Sequence, residues 1–236
     1  MTLATYRERR GQIETYFDRT AADAWARLTS TARVSGIRAT VRAGRDRMRA
    51  LLLGWLPDAL AGARLLDAGC GTGALAVEAA RRGAAVVAID LSPTLVHLAG
   101  ERVPPSLGGS IDFRAGDMLD AALGAFDHVV CMDSLIHYGA PDAVNALATL
   151  AARTRHSIVF TFAPSNALLR AMITCGRLFP RHDRAPFIEP VAEATLRRAI
   201  AAEPRLAGWT IGRTQRVASG FYTSQAMELV RRGAAA

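Results

Sequence analysis

Residues 65–92 read LLDAGCGTGALAVEAARRGAAVVAIDLS. A short apolar run stops at a glycine, an alanine-rich stretch of helical character runs on to Gly83, and a second apolar run ends on Asp90. The order is strand, turn, helix, strand. Gly69, Gly71 and Gly73 fall in the turn, where a bound ligand has to come close to the backbone. Asp90 closes the second strand 17 residues after Gly73, and a carboxylate in that place suits the two hydroxyls of a ribose. The combination predicts a nucleoside-binding βαβ unit. The third glycine comes two residues after the second, which is not the G-x-G-x-x-G spacing of a dinucleotide fingerprint.

Working outward, SPTLVHLAGERV is a helix capped by Ser92 with Pro93 at its first position. IDFRAGD, FDHVVCMD and SIVFTFAP read as strands three to five, with a helix from near Pro141 between the last two. Continuous apolar strands alternating with helices predict a parallel sheet covered on both faces. Upstream, residues 1–44 read as a helical arm carrying Ile13, Tyr16, Phe17, Trp25 and Leu28. Met48, Leu51, Leu52, Trp55 and Leu56 then share one helix face that Pro57 ends. Downstream, residues 164–190 exceed a normal loop and carry four arginines. The helix VAEATLRRAIAAE follows, and WTIGRTQRVASG and FYTSQAMELVRR are close enough to pair as an antiparallel ribbon. One domain is expected over 1–236: arm 1–44, core 45–163, insertion 164–190 and C-terminal part 191–236.

With 236 residues, 50% of them hydrophobic, the chain can bury a substantial core and does not have the composition of a disordered protein. Cys70, Cys131 and Cys175 have neither the number nor the spacing of a disulfide framework or metal site, so a reducing, cytoplasmic compartment is expected. No apolar run reaches the roughly 18–20 residues of a membrane span, and the N-terminus lacks the pattern of a secretory signal. All 29 basic residues are arginine, which excludes a lysine Schiff base. Residues 1–64 hold 12 Arg against 6 acids and residues 153–236 hold 13 against 5, while 65–152 hold 4 against 10. Such asymmetry suggests an anionic ligand handled by the flanks. Basic runs interleaved with aromatics are missing and aromatics are only 6%, so no nucleic-acid partner is expected.

DAGCGTG resembles motif I of the class I S-adenosylmethionine-dependent methyltransferases, and the likeness extends in register over residues 60–163. The resemblance implies that Asp67 and the backbone from Gly69 through Cys70 and Gly71 to Gly73 hold the methionine part, with Asp67 on its ammonium. It implies Asp90 on the ribose, Leu91 against the adenine, Asp117 accepting from the adenine amino group and Met118 over its face. CMDSLIHYG, residues 131–139, ends the fourth strand and should face the methyl donor. It lacks the Asn/Asp-Pro-Pro-aromatic motif of amine methylases, which argues against base N-methylation. His137 is the one histidine placed at that rim, as a hydrogen-bonding or acid–base residue or as a packing one.

Outside the core, QIETYFDRTAADAWARL, VRAGRDRMRALLLGWL, MDSLIHY and the LFPR-containing insertion resemble the magnesium-protoporphyrin IX O-methyltransferases of bacteriochlorophyll synthesis, over residues 11–230. The resemblance implies a Rossmann-like α/β fold with a mostly parallel seven-stranded sheet, helices on both faces, a helical arm and an insertion after strand five. It implies methyl transfer from S-adenosylmethionine to a propionate of Mg-protoporphyrin IX, giving the monomethyl ester. Tyr16 and His137 would orient the carboxylate, or His137 would instead ligate the substrate's Mg²⁺, for which oxygen ligands are the usual choice. Arg170, Arg177, Arg181, Arg184 and Phe179 would bind the substrate, and Arg42 the donor's carboxylate. Arg45 departs from the histidine expected at its position. The metal would belong to the substrate, with none bound by the protein. Contact with the magnesium chelatase porphyrin-binding subunit, and a peripheral one with the photosynthetic membrane, are further implications. A methyltransferase for quinone precursors, an RNA methyltransferase and a noncatalytic S-adenosylmethionine-binding partner stand as alternatives.

Overall fold

The structure, a computed structural model, describes residues 3–16, 36–165 and 188–233. In chain order its elements are α1 (Leu3–Tyr16), α2 (Gly36–Gly54), β1 (Arg64–Ala68), α3 (Ala74–Arg81), β2 (Ala85–Asp90), α4 (Pro93–Glu101) and β3 (Ser110–Ala115). There follow β4 (Phe126–Cys131), α5 (Ala140–Ala151), β5 (Thr154–Phe162), α6 (Glu193–Ala202), β6 (Trp209–Ser219) and β7 (Tyr222–Arg231).

The strands form one seven-stranded sheet in the order β3-β2-β1-β4-β5-β7-β6. The first five are parallel, whereas β7 runs antiparallel to both β5 and β6. The expected ribbon therefore forms and joins the parallel sheet through β7. Adjacent residues on one strand point to opposite faces. Leu66, Val87, Val129 and Ile158 pack with α5 and α6 on one side. Their neighbours Leu65, Val86, Val130 and Val159 pack with α2 and α3 on the other. Double coverage explains why these strands read as unbroken apolar runs.

The local signals at Ser92, Pro93 and Gly83 hold. Ser92 Oγ accepts the Leu95 amide at 3.2 Å with Pro93 at the helix start, and Gly83 takes φ +95° after α3. One helix end differs: α2 stops at Gly54, before Pro57, with Trp55 and Leu56 in the turn beyond it. It also runs unbroken across residues 44 and 45. Phe17, Trp25 and Leu28 of the expected arm, and Arg170, Cys175, Arg177, Phe179, Arg181 and Arg184 of the expected insertion, lie outside the described residues.

Candidate active site

The strand order reverses between β1 and β4, which places β2 on one side and β5 on the other. Ligands bind beyond the carboxyl ends of strands at such a point. A cavity of about 550 Å³ opens there.

Its floor is the turn after β1. Gly69 and Cys70 donate their amides to Ile89 O at 2.8 and 3.0 Å, and the Gly71 amide donates to Asp90 Oδ2 at 2.8 Å. The loop is thus tied to the end of β2 before any ligand arrives. At Gly69, φ +85°, an added Cβ would lie 2.5 Å from Ser134 Cβ, so the donor-side loop touches the rim after β4. At Gly71, φ +52°, an added Cβ would meet nothing within 4 Å. That space belongs to the cavity.

Two carboxylates stand over this floor. Asp67 is 1% exposed, and its Oδ2 is buried with no hydrogen-bond partner in the chain. Burial, and then the nearby charge of Asp90, push its pKa up from the ordinary 3.8 to about 7, against a hydrogen bond from the Ala76 amide. Burial also raises Asp90, opposed by the Ser92, Gly71 and Leu91 amides. A buried carboxylate with one oxygen unpartnered, beside a second carboxylate, is costly alone and calls for a cation. The residues fit S-adenosylmethionine, whose ammonium and sulfonium are both positive. Leu91, Asp117, Met118, Arg42, Cys70 and His137 line the same cavity. The Cys70 thiol is pushed well above its usual range, first by burial and then by Asp67 and Asp90.

Gly73 is set apart from Gly69 and Gly71: a Cβ there would lie 2.9 Å from the Phe113 ring, and it does not line the cavity. Tyr16 is half-buried at the end of α1 and is also absent from the lining, whereas Tyr6 and Ile13 of the same helix belong to it. Tyr6 donates to Asp117 Oδ1 at 2.8 Å and stacks on Tyr138, centroids 5.0 Å apart. Arg10 reaches Asp117 Oδ2 at 2.9 Å. Arg9 pairs with Glu189 at 2.7 Å, and the Glu189 amide donates to Ile136 O next to His137. Sequence reading missed Tyr6, Arg9 and Arg10 in this role, and also Asp133 with its partners Arg45, Thr161, Tyr222 and Ser224.

Removing both grips on Asp117, with Tyr6→Phe and Arg10→Met, loses hydrogen bonds worth about 1–3 kcal/mol together. Amide hydrogen exchange over residues 3–16 should then speed up about tenfold or more while β1 to β5 stay protected. Unchanged protection of α1 would show that Asp117 is not what holds it.

Among the described residues, no group of three or more His, Cys, Asp or Glu side chains is placed to hold a metal ion, and no helix is long and apolar enough to cross a membrane.

Fold and site together are those of a class I methyltransferase: a 3214576 sheet with a glycine turn and two strand-end carboxylates at its switch point. A family described as "Methyltransferase domain" matches residues 65–157, and one described as "Magnesium-protoporphyrin IX methyltransferase C-terminus" matches residues 131–231. The chain is 52% identical to the magnesium-protoporphyrin O-methyltransferase of Rhodobacter capsulatus over 94% of its own length and 97% of the relative's. It therefore belongs to the magnesium-protoporphyrin O-methyltransferase family. The crystal structure of magnesium protoporphyrin IX methyltransferase from Synechocystis PCC 6803 with bound SAH superposes with a TM-score of 0.76 at 28% identity, covering 94% of this chain and 99% of that one. A ubiquinone biosynthesis O-methyltransferase of Xanthomonas euvesicatoria pv. vesicatoria (strain 85-10) is 47% identical, but over only 36% of either chain.

Proposed function

We propose that the protein transfers the methyl group of S-adenosylmethionine to a propionate carboxylate of Mg-protoporphyrin IX, giving the monomethyl ester in bacteriochlorophyll biosynthesis. The observation that carries this function is the likeness to the Rhodobacter capsulatus enzyme over 94% of the chain, whereas the Xanthomonas ubiquinone enzyme matches over 36%.

S-adenosylmethionine supplies an electrophilic methyl group on a sulfonium. Asp67 and the backbone from Gly69 through Cys70 to Gly71 hold the methionine end, with Arg42 on its carboxylate, while Gly73 serves the close packing of the turn against Phe113. Asp90 holds the ribose, while Leu91, Met118 and Asp117 enclose the adenine. The acceptor propionate is ionised at neutral pH, so no strong base is needed. As its oxygen bonds to the methyl carbon, the carbon–sulfur bond breaks and its electron pair stays on sulfur. The chain's task is alignment and exclusion of water, which contributes roughly 7–11 kcal/mol at its upper range. His137, buried at the rim, orients the carboxylate. Tyr16 assists from outside the cavity lining, and Arg170, Arg177, Arg181, Arg184 and Phe179 receive the macrocycle and its propionates. A flat apolar substrate also suits handover from the magnesium chelatase porphyrin-binding subunit and peripheral contact of a cytoplasmic protein with the photosynthetic membrane. The exposed Phe221 and Ile37 support such contact.

Incubation with S-adenosylmethionine and Mg-protoporphyrin IX, followed by HPLC of the pigments, should show a monomethyl ester only when the donor is present. Donor binding by calorimetry without any ester would overturn the acceptor and leave the cofactor standing.

A further inference from the structure

Asp133 follows β4 and, among the described residues, is the one non-glycine residue in the left-handed region, at φ +55°. Such a conformation persists only where the surroundings over-determine it. Here they do. Its carboxylate accepts from Tyr222 at 3.1 and 3.2 Å, from Ser224 at 3.2 Å, from Thr161 at 3.2 Å and from Arg45 at 2.6 Å. Its own amide donates to Thr161 Oγ1 at 2.7 Å. The side chain is 6% exposed, so α2, β5 and β7 all converge on one buried carboxylate.

Fixing the rim this way has an electrostatic consequence. Met132, Asp133, Ser134 and His137 line the cavity, and on the function proposed above an anion has to arrive beside them. A bare Asp133 would repel it. Arg45 lies on the same wall, 2.6 Å from Asp133 Oδ2. The close approach of α2 depends on Gly44, where a Cβ would sit 2.5 Å from the Tyr222 ring.

We propose that Arg45 determines the charge of the acceptor this site admits: it cancels Asp133, so that a carboxylate-bearing substrate can settle at the rim. The inference rests on the proposed acceptor. Arg45 acts through Asp133 and is not the donor's ligand.

The test compares wild type, Arg45→Met, Arg45→Lys, Asp133→Asn and the Arg45→Met/Asp133→Asn double variant. Each is assayed for KM toward Mg-protoporphyrin IX, for kcat, and for affinity toward S-adenosylhomocysteine by calorimetry. Arg45→Met should raise the acceptor KM about tenfold or more, the direction like-charge juxtaposition imposes. Its affinity for S-adenosylhomocysteine should stay within about twofold, since the lost charge is the one paired with Asp133 at the rim. Arg45→Lys keeps the charge and should hold the acceptor KM within about threefold of wild type. Asp133→Asn tolerates the left-handed backbone, keeps an acceptor for the hydroxyls and should not raise that KM. The double variant should recover most of what Arg45→Met loses, because the anion itself is gone.

An unchanged acceptor KM in Arg45→Met, a double variant no better than Arg45→Met, or an Arg45→Lys as poor as Arg45→Met overturns the charge role. A parallel fall in S-adenosylhomocysteine affinity overturns it too, and makes Arg45 a donor ligand. Ester formation by wild type separates these outcomes from failure of the proposed function, in which wild type makes none.

Discussion

Asp67→Asn should weaken S-adenosylhomocysteine binding at least about 100-fold, the size expected when one partner of a buried charge pair is lost. The same change should stabilise the protein without ligand. Asp67 is 1% exposed and its Oδ2 has no partner, so ionising it costs the fold free energy that a bound ammonium would return. Its pKa stands at about 7 in the folded chain against an ordinary 3.8, so the folded state holds the proton more tightly than the unfolded state does. Stability of the unliganded protein is therefore intact below the ordinary value and falls as pH rises toward 7. The gain in Tm from Asp67→Asn should accordingly be small near pH 4 and largest at pH 8. Ligand binding to wild type runs the other way and should weaken as pH falls through about 7. Thermal melts across pH, paired with calorimetry, measure both. A Tm gain that shrinks as pH rises would contradict the assignment.

Gly69→Ala should cost the protein both fold and function. The backbone there is at φ +85°, where an L side chain is strained by roughly 1–2 kcal/mol. The new methyl would also sit 2.5 Å from Ser134 Cβ, so either the donor loop or the acceptor rim has to move. A displacement of that kind between reacting groups costs about 100-fold or more in rate. Gly71→Ala, two residues on, should behave differently. It bears backbone strain at φ +52° but strikes nothing in the chain, because its methyl would enter the cavity. Its Tm should stay closer to wild type than that of Gly69→Ala, while ligand affinity drops about as far. If the two alanines lowered Tm alike and spared binding alike, the loop's division of labour would be refuted.

The sheet was legible because its cause is local. Leu65–Leu66, Val86–Val87, Val129–Val130 and Ile158–Val159 are apolar on consecutive positions, as only strands buried on both faces need to be. The glycine turn and the carboxylates at the ends of β1 and β2 were legible because they all lie within the single strand–turn–helix–strand stretch of residues 65–92. The upper wall was not. Tyr6 meets Asp117 across 111 positions, and the Asp133 carboxylate draws donors from 28 to 91 positions away. No local pattern records such contacts. Within the arm, sequence pointed to Tyr16 while the cavity takes in Tyr6, because α1 carries no strong apolar stripe to show which side it buries.

Cys70 brings a potential nucleophile into the wall of the cavity. A sulfonium methyl group is an alkylating reagent, and a thiolate is among the strongest nucleophiles a protein can offer. The loop places a cysteine in the wall of the cavity built for that reagent. Burial and the two neighbouring carboxylates keep its thiol protonated far above neutral pH. Asp67 and Asp90, which make the cavity welcoming to a cation, thus add to burial in holding the thiol in its protonated form, the poorer nucleophile toward a sulfonium methyl.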